Sequence, residues 1–156
     1  MSIEKVRNYF KDFGLEDRIR EFDTSSATVE LAAAALNCQP ERIAKSLSFI
    51  VKDKTVIIVT AGDVKIDNKK FRNIFETKAK MIDKDRVEDL IGHEVGGVCP
   101  FAIKDGVEVY LDQSLKRFDT VFPACGSSNS AIELRQDELE KYSKYKEWID
   151  VTKSMA

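Results

Sequence analysis

The chain is short of the residues from which many catalytic and metal centres are built. Its 156 residues include one histidine, three cysteines, three prolines and seven glycines. A single histidine, His93, excludes a histidine-rich metal cluster. Cys38, Cys99 and Cys125 are odd in number and widely spaced with no CxxC, which excludes a disulfide framework or zinc ribbon and fits a reducing compartment. Closed zinc sites show ligands in close sequence pairs, so no metal is expected. Few Gly and Pro, with 43% hydrophobic and 33% charged residues, exclude a fibrous or disordered chain. No apolar run approaches the roughly 20 residues that span a bilayer; the longest, "TVIIVTAG", is strand-sized. The charged N-terminus "MSIEKVRNYFKDFG" lacks the apolar core and cleavage site of a signal peptide, so a cytoplasmic protein without membrane partners is expected. GxGxxG and GxxxxGK[ST] are both absent, and no cofactor is expected. A formal net charge of −2 argues against indiscriminate nucleic-acid binding.

What is present has the length and patterning of one domain, residues 1–156. Ile3, Val6, Phe10 and Phe13 predict a helix from residue 3 to about 13, stopped by Gly14. "RIREFD" alternates weakly as an edge strand. "TSSATVELAAAALN" is a capped, alanine-rich helix ending near Asn37. Pro40 opens a helical turn before "KSLSFIV", a strand with Leu47, Phe49 and Val51 on one face. "DKTVIIVTAG", entered by a turn at Asp53-Lys54, is a strand buried on both faces and the hairpin partner of the one before it. "DNKKFRNIF" is a helix capped at Asp67 or Asn68, with Phe71, Ile74 and Phe75 inward. Then follow a strand "KAKMID", a helix "DKDRVEDLIG", strands "VEVYLDQSL", "DTVFPAC" and "SAIELRQ", and a closing amphipathic helix "QDELEKYSKYKEWID". Helices and strands mix without regular alternation, which predicts α+β with a mixed sheet.

Fifteen residues, "GHEVGGVCPFAIKDG" (92–106), hold four of the seven glycines, the histidine, one cysteine and one proline. A Cys99/His93 nucleophilic pair would need a third, orienting group, and the sequence gives no reason for the pair to meet across a Gly-Gly turn. The alternative is a half-exposed helix-end His93 and a Cys99 packed as a small apolar residue. Gly96 and Gly97 followed by Pro100 form a turn both permissive and rigid, able to aim backbone groups into a pocket. "ACGSSNSA" (124–131) is a second small-residue loop. Lys45, where a turn gives way to strand, suits an electrostatic anchor for a phosphate or a polarised carbonyl. Between Lys65 and Lys80 stand six basic residues against two acidic ones, which by charge pattern alone is a solvated helix face.

In their order, "ERIAKSLSF", "GHEVGGVCPF" and "FPACGSSNSAIEL" resemble the YbaK / prolyl-tRNA synthetase-associated editing domain family over roughly residues 20 to 140. The resemblance implies a compact domain with a strongly twisted mixed sheet flanked by helices. It implies a free-standing hydrolase that cleaves the ester of a mischarged aminoacyl-tRNA, with tRNA(Pro) the expected carrier; the small Ala, Gly and Ser residues of the second loop suggest a small aminoacyl group such as Ala, Cys or Ser, or an equally small non-protein amino acid. The aminoacyl-tRNA acceptor end is the implied partner, with prolyl-tRNA synthetase a further one. Lys45 matches the family's signature lysine, and Gly96, Gly97, Val98, Cys99 and Pro100 its GxxxP loop, with Phe101 beside it. Gly126 matches the glycine of the second loop, next to Ser127 and Ser128. Phe22, Thr28 and Ser46 fall where pocket-wall residues occur. On this reading Lys45, Gly96 and Gly97 carry the reaction, and Lys65, Lys69, Lys70 and Arg72 hold tRNA phosphates. The chain departs from the cysteinyl-editing branch at Ala124 and Ala131, where that branch carries serine and aspartate, and lacks the second-loop histidine of the alanine-editing branch. Two other readings stay open: a catalytically silent tRNA- or synthetase-binding module, and a small-molecule hydrolase unconnected to tRNA.

Overall fold

In the computed structural model, which describes residues 2–155, caps and tight turns cut the chain into short elements. Helix α1 (Ser2–Lys11) buries Val6 and Phe10 completely and stops before Gly14, whose φ of +72° is left-handed. After the two-residue strand β1 (Arg20–Glu21), α2 (Val29–Leu36) starts where Thr28 Oγ1 accepts the Leu31 N–H at 3.1 Å. It stops at left-handed Asn37. A 3₁₀ turn opened by Pro40 leads into β2 (Ile43–Val51), which returns as β3 (Lys54–Ala61). The turn is Lys52-Asp53, one residue earlier than expected, with Lys52 left-handed. β4 (Val64–Ile66) precedes α3 (Asn68–Phe75), whose cap Asp67 accepts the Lys69 and Lys70 N–H groups at 3.0 and 3.2 Å. Then come α4 (Lys84–Ile91), β5 (Glu108–Asp112), β6 (Thr120–Pro123), β7 (Ser130–Ala131), β8 (Leu134–Arg135), α5 (Gln136–Ser143), β9 (Glu147–Ile149) and β10 (Thr152–Ser154).

Six strands form one mixed sheet in the order β8-β6-β2-β3-β5-β9. The β2/β3 and β6/β8 pairs are antiparallel and the other three parallel, as an α+β reading requires. β1 with β7, and β4 with β10, make small antiparallel pairs beside it. β3 is the axis of the core. Ile57, Val59 and Ala61 pack with Val6, Phe101 and Leu111 on one face, while Val56 and Ile58 pack with Phe49, Phe71 and Phe75 on the other. Burying each large side chain contributes about 1.5–3 kcal/mol, so the two faces together outweigh any single polar contact.

Several expected elements are redrawn. "KAKMID" is not a strand; it touches β2 through one bridge, Phe49 with Met81. "SAIELRQ" divides into β7 and β8, which join different sheets. The closing helix ends at Ser143 because Lys144 turns left-handed, and "KEWID" becomes β9 beside β5. Ile74 is exposed; only Phe71 and Phe75 of α3 turn fully inward.

One buried carboxylate fastens the C-terminal strand. Asp112, with no exposed surface, accepts the Val151 N–H at 2.9 Å, the Thr152 hydroxyl at 2.8 Å and the Ser114 N–H at 3.0 Å. Asp112→Ala is expected to lower the unfolding free energy by on the order of 3 kcal/mol, since it strands three donors. Urea unfolding tests this, and an unchanged midpoint would contradict it.

Candidate active site

The cavity that gathers the small-residue loops exists because β2 has two neighbours on one edge. Near its start β2 pairs with β6, Ile43 with Phe122 and Ala44 with Pro123. Further along, the Ile50 N–H bonds the Lys80 carbonyl at 2.9 Å and the Ile82 N–H bonds the Ser48 carbonyl at 3.1 Å. Lys45, Ser46 and Leu47 lie between the two, without a strand partner on that edge. Over this gap opens a cavity of about 340 Å³. Its walls are Ala27, Thr28 and Ala32 around the start of α2, Val95, Gly96 and Val98 of the glycine loop, Ala124 and Ala131 of the second loop, and Met81, Ile82 and Lys84.

Lys45 is half-buried at this gap and donates its ammonium to the Val64 carbonyl. Burial lowers its pKa from the ordinary lysine value, opposed by the nearby charges of Asp63 and Glu30. Asp63 is itself clamped by Arg117 at 2.5 Å. Ser46 also lines the cavity, and its hydroxyl is buried with no hydrogen-bond partner among the described residues. Leaving such a group unsatisfied costs about 1–3 kcal/mol, which a bound ligand or water can recover.

The two small-residue loops meet backbone to backbone. A Cβ on Gly97 would lie 2.5 Å from the Gly126 carbonyl carbon and the Ser127 nitrogen, so only glycine fits. Gly96 and Gly126 both take left-handed φ, +90° and +91°. The second loop is sewn to the segment before α2: Ser26 N–H to the Ser128 carbonyl at 2.6 Å, and Phe22 N–H to the Asn129 carbonyl at 2.8 Å. Ser127 and Ser130 share a 2.7 Å hydroxyl contact.

Cys99 and His93 do meet, contrary to expectation, and both are fully buried. Cys99 Sγ lies 3.5 Å from His93 Nε2, but that nitrogen is 2.6 Å from the Phe101 carbonyl and serves as its donor. It is therefore not a free base. Burial pushes the thiol up to about 12 and holds His93 below the ordinary histidine range, so both are neutral. The half-exposed His93 expected from sequence is thus corrected: the ring pins the glycine loop from inside. Its Nδ1 has no partner among the described residues.

Of the residues singled out from sequence, Lys45, Thr28, Ser46, Gly96 and Val98 line the cavity. Gly97, Cys99, Pro100, Phe101, Gly126 and Ser127 are buried but do not line it, with half-buried Ser128 beside them; Pro100 borders a separate concavity, and Phe101 packs on Tyr9 and Phe10. Phe22 packs instead on the cluster of Ala33, Leu36 and Phe122. Lys65, Lys69 and Arg72 are exposed. Lys70 is engaged, its ammonium bound to Asp150 at 2.9 Å and to the Thr152 carbonyl at 2.8 Å. Met81, Val95 and Lys84 were not foreseen; the first two, 55% and 50% exposed, stand out as apolar residues at the surface. No group of three or more His, Cys, Asp or Glu among the described residues is placed to hold a metal. No helix among them is long and apolar enough to cross a membrane.

Residues 23–142 match the family of the aminoacyl-tRNA editing domain, and the chain belongs to it. The Bacillus subtilis (strain 168) protein YwhH is 55% identical over 154 residues, 98% of either chain. A proline–tRNA ligase of Bacillus cytotoxicus is 24% identical over 148 residues, 94% of this chain but 26% of the ligase, so the chain spans about a quarter of that relative. Among solved structures, a protein proposed as a trans-editing enzyme for prolyl tRNA synthetase superposes with a TM-score of 0.87 at 22% identity, over 98% of each chain. The hypothetical protein APE2540 superposes at 0.84 with 25% identity, over 96% of this chain and 99% of its own. The family and the fold expected from the three motifs are both borne out.

Two predictions follow from the loop packing. Gly97→Ala is expected to cost about 1–3 kcal/mol through overpacking against the main chain of Gly126 and Ser127, measured by denaturant unfolding. An unchanged unfolding midpoint would refute the steric account. Because His93 is held neutral, the unfolded chain takes up a proton near pH 6.5 that the folded one refuses. Stability is therefore full above that pH and falls as pH drops through the lower folded pKa. The decline from pH 7.5 to 5 should be smaller in His93→Gln, and an identical decline would contradict this.

Proposed function

We propose that the chain is a trans-editing deacylase that hydrolyses the ester of a mischarged aminoacyl-tRNA. The observation that carries this reading is the half-buried Lys45 ammonium at the gap in β2, beside a cavity whose walls hold small side chains and hydroxyls but neither cysteine nor histidine. The unsatisfied Ser46 hydroxyl supports a polar occupant. In the reaction, water adds to the ester carbonyl, the bond from the acyl carbon to the ribose oxygen breaks, and that oxygen leaves as a hydroxyl with a proton from the water. Lys45 exchanges the Val64 carbonyl for the substrate, where its charge anchors the terminal nucleotide or the developing oxyanion. Backbone groups around Gly96 and Gly97 orient the water.

Ala27, Ala124, Ala131 and Gly96 leave room for a small aminoacyl group such as alanine, cysteine or serine. Discrimination by one methylene is worth only about 1–3 kcal/mol, so overlapping activity among small residues is expected. The relation to proline–tRNA ligases supports tRNA(Pro) as the carrier and the ligase as a partner.

The test is a deacylation panel of small amino acids on tRNA(Pro) and tRNA(Ala). Lys45→Ala is expected to lower kcat/KM at least a hundredfold, and Cys99→Ala to retain turnover. A wild-type protein that binds aminoacyl-tRNA without hydrolysing it would replace the enzyme by a binding module. As pH rises through the lowered pKa of Lys45, the ammonium is lost, so activity should fall below the ordinary lysine pKa of 10.5. A kcat/KM still flat past that value would remove Lys45 from its charged role.

A further inference from the structure

A second concavity, of about 430 Å³, lies between α3 and residues 78–79. Lys69, Arg72 and Lys78 line it with the amides Asn68 and Asn73, and no carboxylate stands in its wall. None of these three cations is in an ion pair among the described residues, whereas neighbouring Lys52 is matched by Glu76 and Lys70 by Asp150. Three unpaired cations and two amides in one concavity form a receptor for phosphate oxygens.

Successive residues of one segment border the groove and then the candidate active site. Lys78 and Ala79 border the groove, while Met81, Ile82 and Lys84 border the cavity. Between them the Lys80 carbonyl and Ile82 N–H are bonded to β2, so the linking stretch is a fixed extended segment. Residues 78 to 84 span at most about 20 Å, a reach that a few nucleotides cover. The exposed Met81 side chain lies along the way, an adaptable apolar surface for an unpaired base.

We infer that this groove receives the phosphates of the single-stranded 3′ end of the RNA whose terminal ester occupies the cavity. The inference rests on the deacylase reading for the identity of that RNA. With a formal net charge of −2, the molecule lacks the broad basic field that would hold a long duplex, and a short run of cations beside the cavity suits a short strand. The path also revises the set drawn from sequence: Lys78 joins Lys69 and Arg72, while Lys70 is committed to Asp150 and Thr152, and Lys65 lies on β4 outside the groove.

Fluorescence anisotropy with two uncharged RNA hairpins tests this directly, one ending in a four-nucleotide single-stranded 3′ tail and one blunt. The wild type should prefer the tailed hairpin, and the Lys69→Ala/Arg72→Ala/Lys78→Ala variant should lose that preference. Its affinity should fall at least tenfold near 0.1 M salt, with the slope of log K against log salt shallower by roughly 2, at about 0.7 per single-strand phosphate. Replacement of Lys78 by Arg should keep binding. In parallel, kcat/KM on an alanyl hairpin is divided by that on alanyl-adenosine, which has no phosphates; the ratio should drop at least tenfold in the triple variant. An unchanged preference, salt slope or ratio overturns the groove assignment. If the wild type hydrolyses neither ester, the deacylase reading fails by itself, and the anisotropy arm still decides the groove.

Discussion

The edge of β2 that faces away from β3 is covered by two neighbours that do not meet. β6 covers its beginning and then reaches Pro123, which has no N–H to offer a ladder. The Pro123 carbonyl turns instead to the Ile132 N–H at 3.0 Å, and the chain enters the second small-residue loop. Residues 80–82 cover the far end of β2. A sheet edge left open for three residues in the middle of a fold is costly unless it is used. Here Lys45, Ser46 and the walls of the cavity all occupy that interval.

The chemistry that looks reactive in the sequence is structural, and what looks inert does the shaping. Cys99 and His93 lie together in the core, neutral and committed to the Phe101 carbonyl, where they hold the glycine loop at a fixed height. Gly97 and Gly126 allow that loop to touch its neighbour main chain to main chain. A site made this way has few side chains to disorder, so its precision comes from backbone that the core already fixes.

Elements with strong local signals were legible in the sequence. The Thr28 and Asp67 caps, the Asn37 and Gly92 stops and the doubly buried β3 follow from rules that act within a few residues. What escaped depends on distant partners. "KEWID" has a helical pattern, yet Trp148 is registered beside Leu111 once β5 is in place. Lys70 reads as a free cation until Asp150, eighty residues on, reaches it. The burial of His93 depends on where the Phe101 carbonyl ends up, which no local pattern encodes. Of the site, Lys45 and the glycine loops were legible as motifs; the gap in β2 that unites them was not, because it is a property of pairing.

The contact between Gly97 and Gly126 also divides the cavity into a wall that cannot be retuned and one that can. An added Cβ at Gly97 collides with the main chain of the second loop, so the seam between the loops is the same for every substrate the pocket meets. Ala27, Thr28 and Ala32, on and before a helix of only eight residues, face the cavity from the other side with side chains free to grow or shrink. A change of accepted substrate would thus be written into α2 and the residues just before it, while the seam between the glycine loops serves as the fixed jaw of a vise whose opening is set from across the cleft.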